Sequence, residues 1–147
     1  MVHGKIIWVD EDERIWDPER WLLRGLGLVV EALSDATSAW EIIRVADLDQ
    51  VSLIVLDVML LQGDDMQLFS DTETMGGLRT GLVLARRLCK ENPRICKKIL
   101  FFSRVSGEVI AAEIMKTAKD IGAHFLQKSP QTQGRHFIHW LRANRFI

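Results

Sequence analysis

The chain has 147 residues, the size of one ordinary domain. Apolar residues make up 48% of it and charged residues 27%, a globular composition and not a disordered one. Lys+Arg number 19 against 20 Asp+Glu, so the formal charge of -1 excludes the net basic field that would hold nucleic acid or an anionic membrane. No apolar run approaches the ~18 residues that a membrane span needs. The apolar stretch between Lys5 and Asp10 is too short for a signal peptide, so a cytoplasmic protein is expected. Cys89 and Cys96 match no zinc spacing and are expected as two free thiols in a reducing compartment.

In chain order, short apolar runs alternate with segments of helical period. The runs are 5–9 (KIIWV), 28–33 (LVVEAL), 52–58 (SLIVLDV), 98–102 (KILFF) and 124–127 (HFLQ). The first, third and fourth show almost no polar alternation, as expected of strands buried on both faces of a parallel sheet. Asp17-Pro18 predicts a helix start, Trp21, Leu22 and Leu26 recur behind it, and Gly25 and Gly27 end the segment. The stretch from Ser38 to Glu41 fits a capping box ahead of Trp40, Ile43 and Ala46. Leu84 and Leu88 mark a third helix that Asn92-Pro93 stops. Ile110, Ile114, Ala118 and Ile121 mark a fourth, closed by Gly122. Phe137, Trp140 and Leu141 mark the last, where His136 and His139 stand three apart, a spacing open to a metal but better suited to an exposed face. Five strands alternating with five helices predict an α/β doubly wound, three-layer sandwich in one domain, 1–147. One stretch, 61–80, is too long for a βα loop and is read as an insertion, either functional or mobile.

Ligands of open α/β sheets bind outside the carboxyl ends of the strands. Strand one ends in Asp10, Glu11 and Asp12, strand three carries Asp57, strand four ends in Ser103 and strand five in Lys128. Carboxylates that close need a cation, since two unit charges ~4 Å apart cost about 4 kcal/mol at an effective dielectric near 20. An all-oxygen acidic cluster selects Mg²⁺ or Mn²⁺. With a lysine and a hydroxyl beside it, such a crevice suits a phosphoryl group on, or next to, a carboxylate.

These residues, in this order, resemble the receiver domain of two-component response regulators over nearly the whole chain. The run from Val9 to Asp12 resembles the family's acidic pair, and 53–60 (LIVLDVML) resembles its phosphoacceptor strand. The run 99–103 (ILFFS) resembles the strand that ends in the switch Ser/Thr. Gly122-Ala123, Phe125 and Lys128 resemble the Gly-Ala pair, the switch aromatic and the family's lysine. The resemblance implies a flavodoxin-like sheet of order 2-1-3-4-5. It implies that Asp57 accepts a phosphoryl group from a sensor histidine kinase or phosphotransfer protein. Asp10, Glu11, Asp57 and the Met59 backbone carbonyl would hold Mg²⁺ or Mn²⁺. Lys128 would pair with the phosphoryl oxygens, and Ser103 and Phe125 would switch. The face made by the fourth helix, the fifth strand and the fifth helix would then change its hold on a downstream protein or a second copy. No steady enzymatic turnover is implied, only self-catalysed phosphorylation and dephosphorylation.

The chain departs from the family's pattern at named places. Leu61 stands where a proline is usual, Ser129 follows Lys128 where a cis proline is usual, Glu11 replaces an aspartate, Arg104 replaces a small residue, and Pro18 falls within the first helix. Two alternatives stay open. One is a receiver-like interaction module that is never phosphorylated. The other is a haloacid-dehalogenase-type phosphatase, in which Asp10 and Asp12 would be nucleophile and acid, although Arg14 replaces the expected Thr/Val.

Overall fold

The structure, a computed structural model, describes residues 4–12, 17–105 and 107–147. The expected alternation is present. Strands β1 (Lys5–Val9), β2 (Val29–Leu33), β3 (Val51–Leu56), β4 (Ile99–Ser103) and β5 (His124–Gln127) form one parallel sheet of order β2-β1-β3-β4-β5. The helices are α1 (Asp17–Gly25), α2 (Ala36–Ile43), α3 (Asp71–Thr74), α4 (Thr80–Glu91), α5 (Glu108–Ile121) and α6 (Arg135–Ala143). Short 3₁₀ turns span Pro93–Lys98 and Pro130–Thr132.

Apart from Lys5, Ser52 and Ser103, the central strands β1, β3 and β4 are apolar, because both of their faces are covered. Ile6, Trp8, Leu53, Val55, Leu100 and Phe102 turn to the side closed by α1 and α6. Ile7, Val9, Ile54, Leu56, Ile99 and Phe101 turn to the side closed by α2, α4 and α5. This period of two, apolar on both faces, is the strand signature of a sheet between helix layers. The chain runs from β1 outward to β2, then returns past β1 to β3. The change of direction leaves a crevice at the carboxyl ends of β1 and β3.

Helix boundaries follow local chemistry. Asn92 ends α4 and its side chain accepts from Arg94 N at 3.0 Å to start the next turn. Gly122 closes α5 at φ 77°, the left-handed conformation that glycine adopts without a Cβ penalty. The cap of α2 corrects the expected capping box: Asp35, not Ser38, is the cap, accepting from Ser38 N at 2.8 Å. α1 opens on Asp17, with Asp17 and Glu19 in its first turn, and the residue before it lies outside the described residues.

Two further expectations are corrected. Among the described residues there are six α-helices and not five, because the 61–80 segment contributes α3. That segment is tied down at many points. The Gln62 carbonyl accepts from Thr37 Oγ1 at 2.8 Å, Gln62 Nε2 donates to Asp71 Oδ1 at 2.7 Å, and Phe69 is fully buried. Cys89 and Cys96 are also not free thiols. Asn92-Pro93 breaks α4 and folds the chain back, which pairs the two sulfurs across Cα atoms 5.3 Å apart.

Candidate functional site

Parallel strands put their carboxyl ends on one edge, and four of the five deliver a polar group there. Asp10 follows β1, Asp57 follows β3, Ser103 ends β4 and Lys128 follows β5. The backbone locks these positions in register: Asp57 N donates to the Val9 carbonyl at 2.9 Å, Asp10 N to the Leu33 carbonyl at 3.0 Å, and Lys128 N to the Ser103 carbonyl at 2.9 Å.

Their side chains meet. Lys128 Nζ lies 2.6 Å from Asp10 Oδ2 and 3.1 Å from Asp57 Oδ2. Ser103 Oγ donates to Asp57 Oδ1 at 2.7 Å. Each oxygen of Asp57 therefore has its own donor, one ammonium and one hydroxyl. The Lys128 ammonium also stands 5.7 Å from the centre of the Phe102 ring, a cation–π distance that helps hold a buried charge. Lys128 reaches both carboxylates although every peptide bond among the described residues is trans, the one to Ser129 included. Ser129 instead starts the short turn Pro130–Thr132, its N–H donating to Thr132 Oγ1 at 2.9 Å.

Asp10 is almost completely buried, at 2% exposure. Burial pushes its carboxyl above the ordinary value of 3.8, opposed by the Lys128 ammonium and reinforced by the neighbouring Asp57 charge. Its other oxygen accepts from Asp12 N at 2.9 Å. The crevice is a cavity of about 180 Å³ lined by Asp10, Glu11, Asp12, Asp57, Met59, Ser103, Arg104 and Lys128. Every residue expected at the metal and phosphoryl site therefore lines one cavity. Phe125 lies apart from it, half-buried on β5 beside Phe101 in the register.

The metal set is open. Among the described residues no three His, Cys, Asp or Glu side chains converge on one point. Glu11 is exposed, and the Lys128 ammonium holds Asp10 and Asp57 together. The donors are nonetheless chemically suited to a hard cation. Four carboxylates and the exposed Met59 stand around one cavity with no sulfur or imidazole among the lining side chains other than the Met59 thioether. His136 and His139 are both exposed on α6, far along the chain from these donors.

Sequence reasoning passed over one positional requirement. Gly81, in the first turn of α4, donates its N–H to the Val58 carbonyl at 2.9 Å. A Cβ there would overlap the Asp57 carbonyl oxygen and come within 2.8 Å of Val58 Cα. The helix can approach the Asp57 backbone only because this residue has no side chain. A glycine one residue into a helical pattern was the available signal.

No protein-family model matches the chain, and no curated protein matches it. Solved structures do. A CheY-like response regulator receiver domain protein from Methanospirillum hungatei aligns with TM-score 0.68 at 18% identity, covering 97% of this chain and 94% of that one. The receiver domain of response regulator 1452 from Francisella gives TM-score 0.65 at 19% identity, covering 98% and 96%. The beryllofluoride-activated DrrB receiver domain gives 0.62 at 19%, covering 99% and 97%. The chain thus has the fold of response regulator receiver domains over nearly its full length.

Proposed function

We propose that this chain is a receiver that takes a phosphoryl group on Asp57 and passes the signal to a protein partner. The observation that carries it is the clasp at Asp57, with Lys128 on one carboxylate oxygen and Ser103 on the other. Transfer from a phosphohistidine breaks the donor's P–N bond, whose electron pair stays on the imidazole. It forms a P–O bond to an Asp57 oxygen. Such a transfer needs mainly positioning and charge neutralisation. Lys128, fixed by two carboxylates and the Phe102 ring, supplies a positioned cation. Ser103 Oγ, already 2.7 Å from Asp57, supplies a hydroxyl that can follow a phosphoryl oxygen. Asp10, Glu11, Asp57 and the Met59 carbonyl would hold Mg²⁺ or Mn²⁺, which neutralises phosphoryl charge when bound.

The new group carries ≈ −1.5 to −2 charge and three strong acceptors. When Ser103 and Lys128 turn to those acceptors, β4 and β5 are pulled at their ends. Half-buried Phe125 then repacks, and the α5–β5–α6 face presents a different surface to a downstream protein or a second copy. The donor would be a sensor histidine kinase or phosphotransfer protein, and the setting cytoplasmic. No helix among the described residues is long and apolar enough to cross a membrane.

The test is intact-mass measurement after incubation with acetyl phosphate and Mg²⁺. One phosphoryl group is expected on the wild type and none on Asp57→Asn. An unmodified wild type would leave the chain as an interaction module with a receiver fold. Steady release of phosphate from a phosphomonoester that survives Asp57→Asn would instead make it a phosphatase.

A further inference from the structure

We propose that Arg104 is a ligand of the phosphoryl oxygens at the mouth of the Asp57 cavity, where it also blocks the path of the hydrolytic water. The inference rests on the phosphoacceptor reading and adds a residue to it.

The cavity has a floor and a rim that differ in burial. Asp10, Ser103 and Lys128 are buried, whereas Met59 is 48% exposed and Arg104 is exposed. The floor groups are already engaged. Lys128 holds Asp10 and Asp57, and Ser103 holds Asp57. Arg104 lines the same cavity, and its guanidinium has no hydrogen-bond or ion-pair partner among the described residues. Among the described residues it is therefore the one cation on the cavity wall not committed to a carboxylate.

Arg104 follows Ser103 directly at the end of β4, and both residues line the cavity that holds Asp57. A phosphoryl group on Asp57 would add three acceptor oxygens beside an uncommitted planar fork of donors. Guanidinium and phosphoryl groups match in two-point geometry, and such charge-assisted bonds are roughly twice as strong as neutral ones. Hydrolysis requires a water oxygen to attack phosphorus opposite the Asp57 oxygen. The P–O bond to Asp57 then breaks, its electron pair returns to the carboxylate, and the water's proton leaves with inorganic phosphate or solvent. The carboxylate lies at the floor, so the attacking water must enter from the rim, where Arg104 and Met59 stand. A guanidinium bound across the phosphoryl oxygens occupies that approach.

The experiment compares wild type, Arg104→Ala, Arg104→Lys and Arg142→Ala, the last a cation of α6 outside the cavity. Beryllofluoride affinity in Mg²⁺ and the half-life of phospho-Asp57 are read for each. Arg104→Ala is expected to bind beryllofluoride about tenfold more weakly, the equivalent of ~1.4 kcal/mol, and to lose its phosphoryl group several-fold faster. Arg104→Lys keeps the charge without the fork and is expected between the two. Arg142→Ala should match wild type. Arg104→Ala that binds beryllofluoride as tightly as wild type, or dephosphorylates at the wild-type rate, overturns the proposal. So does an equal effect from Arg142→Ala, which would mean a diffuse field. If the wild type itself takes neither beryllofluoride nor phosphate, the phosphoacceptor reading fails first.

Discussion

The two faces of the sheet are filled by different kinds of side chain. On the α1–α6 side, Trp8, Phe102 and Phe137 form a mutual aromatic contact, with Phe102 and Phe137 ring centres 4.8 Å apart and Trp8 edge-on to Phe102 at 6.1 Å. On the opposite side the filling is mainly aliphatic, with Ala36, Ala39, Ala85 and Ala118 letting helices sit close, and Phe69 from the 61–80 segment driven into it. The difference bears on the site. Trp8 stands two residues before Asp10, Phe102 stands one before Ser103, and Lys128 lies over the Phe102 ring. Rigid aromatic rings thus back the acidic, hydroxyl and lysine groups. The aliphatic side carries the inserted segment and the helices between which it is tied.

The contrast predicts that the same type of truncation has a global effect on one side and a local one on the other. Phe137→Ala removes a fully buried ring from the aromatic contact. It is expected to cost about 3–5 kcal/mol of stability, the usual range for a buried Phe→Ala change. The drop should appear as a lower urea midpoint with an unchanged slope. A loss under ~1 kcal/mol, well below that range, would mean that the aromatic layer does not frame the fold.

Phe69→Ala removes an equally buried ring, but one from a segment that adds to the basic fold. Its cost should fall first on residues 61–80, because local opening can occur below the global unfolding energy. Amide hydrogen exchange should accelerate at 62–78 and stay near wild type in β1, β3 and β4. Exchange that rises equally throughout would erase the distinction between the two sides. The bond from Thr37 to the Gln62 carbonyl, the Asp65 N bond to Thr37 Oγ1 and the Arg79–Glu113 pair, with Arg79 Nε 2.7 Å from Glu113 Oε1, are among the other ties of that segment.

These features were unequally legible in the sequence. The strands were legible because unbroken apolar runs such as 53–56 have few alternatives once helical segments flank them. Asp10, Asp57, Ser103 and Lys128 were legible because each stands at the end of such a run, and parallel topology sends all of those ends to one edge. The clasp itself was not legible. That the Lys128 ammonium reaches both Asp10 and Asp57 depends on how the ends of β1, β3 and β5 are spaced, which no local pattern reports. The inner anatomy of 61–80 was hidden as well. Its order comes from long-range bonds to Thr37 and from burial of Phe69, and neither leaves a periodic trace. The Cys89–Cys96 pairing depended on how sharply Pro93 turns the chain, which composition does not report.

The smallest expected effect lies at the seam where both sides meet the site. Burial raises the Asp10 carboxyl above its ordinary 3.8, more than the Lys128 ammonium lowers it. In the window above 3.8 the folded protein holds a proton on Asp10 that the unfolded chain has released. Stability from this group is therefore fully present below about 3.8 and is lost as pH rises through the folded value. Asp10→Asn removes the titration while Lys128 keeps Asp57 as a partner. Urea midpoints measured across acid pH, with chelator present, should show the wild type falling relative to the variant as pH increases. A difference that stays flat across that window, or slopes the other way, would mean that the ammonium outweighs burial and that the floor of the cavity is more polar than its 2% exposure implies.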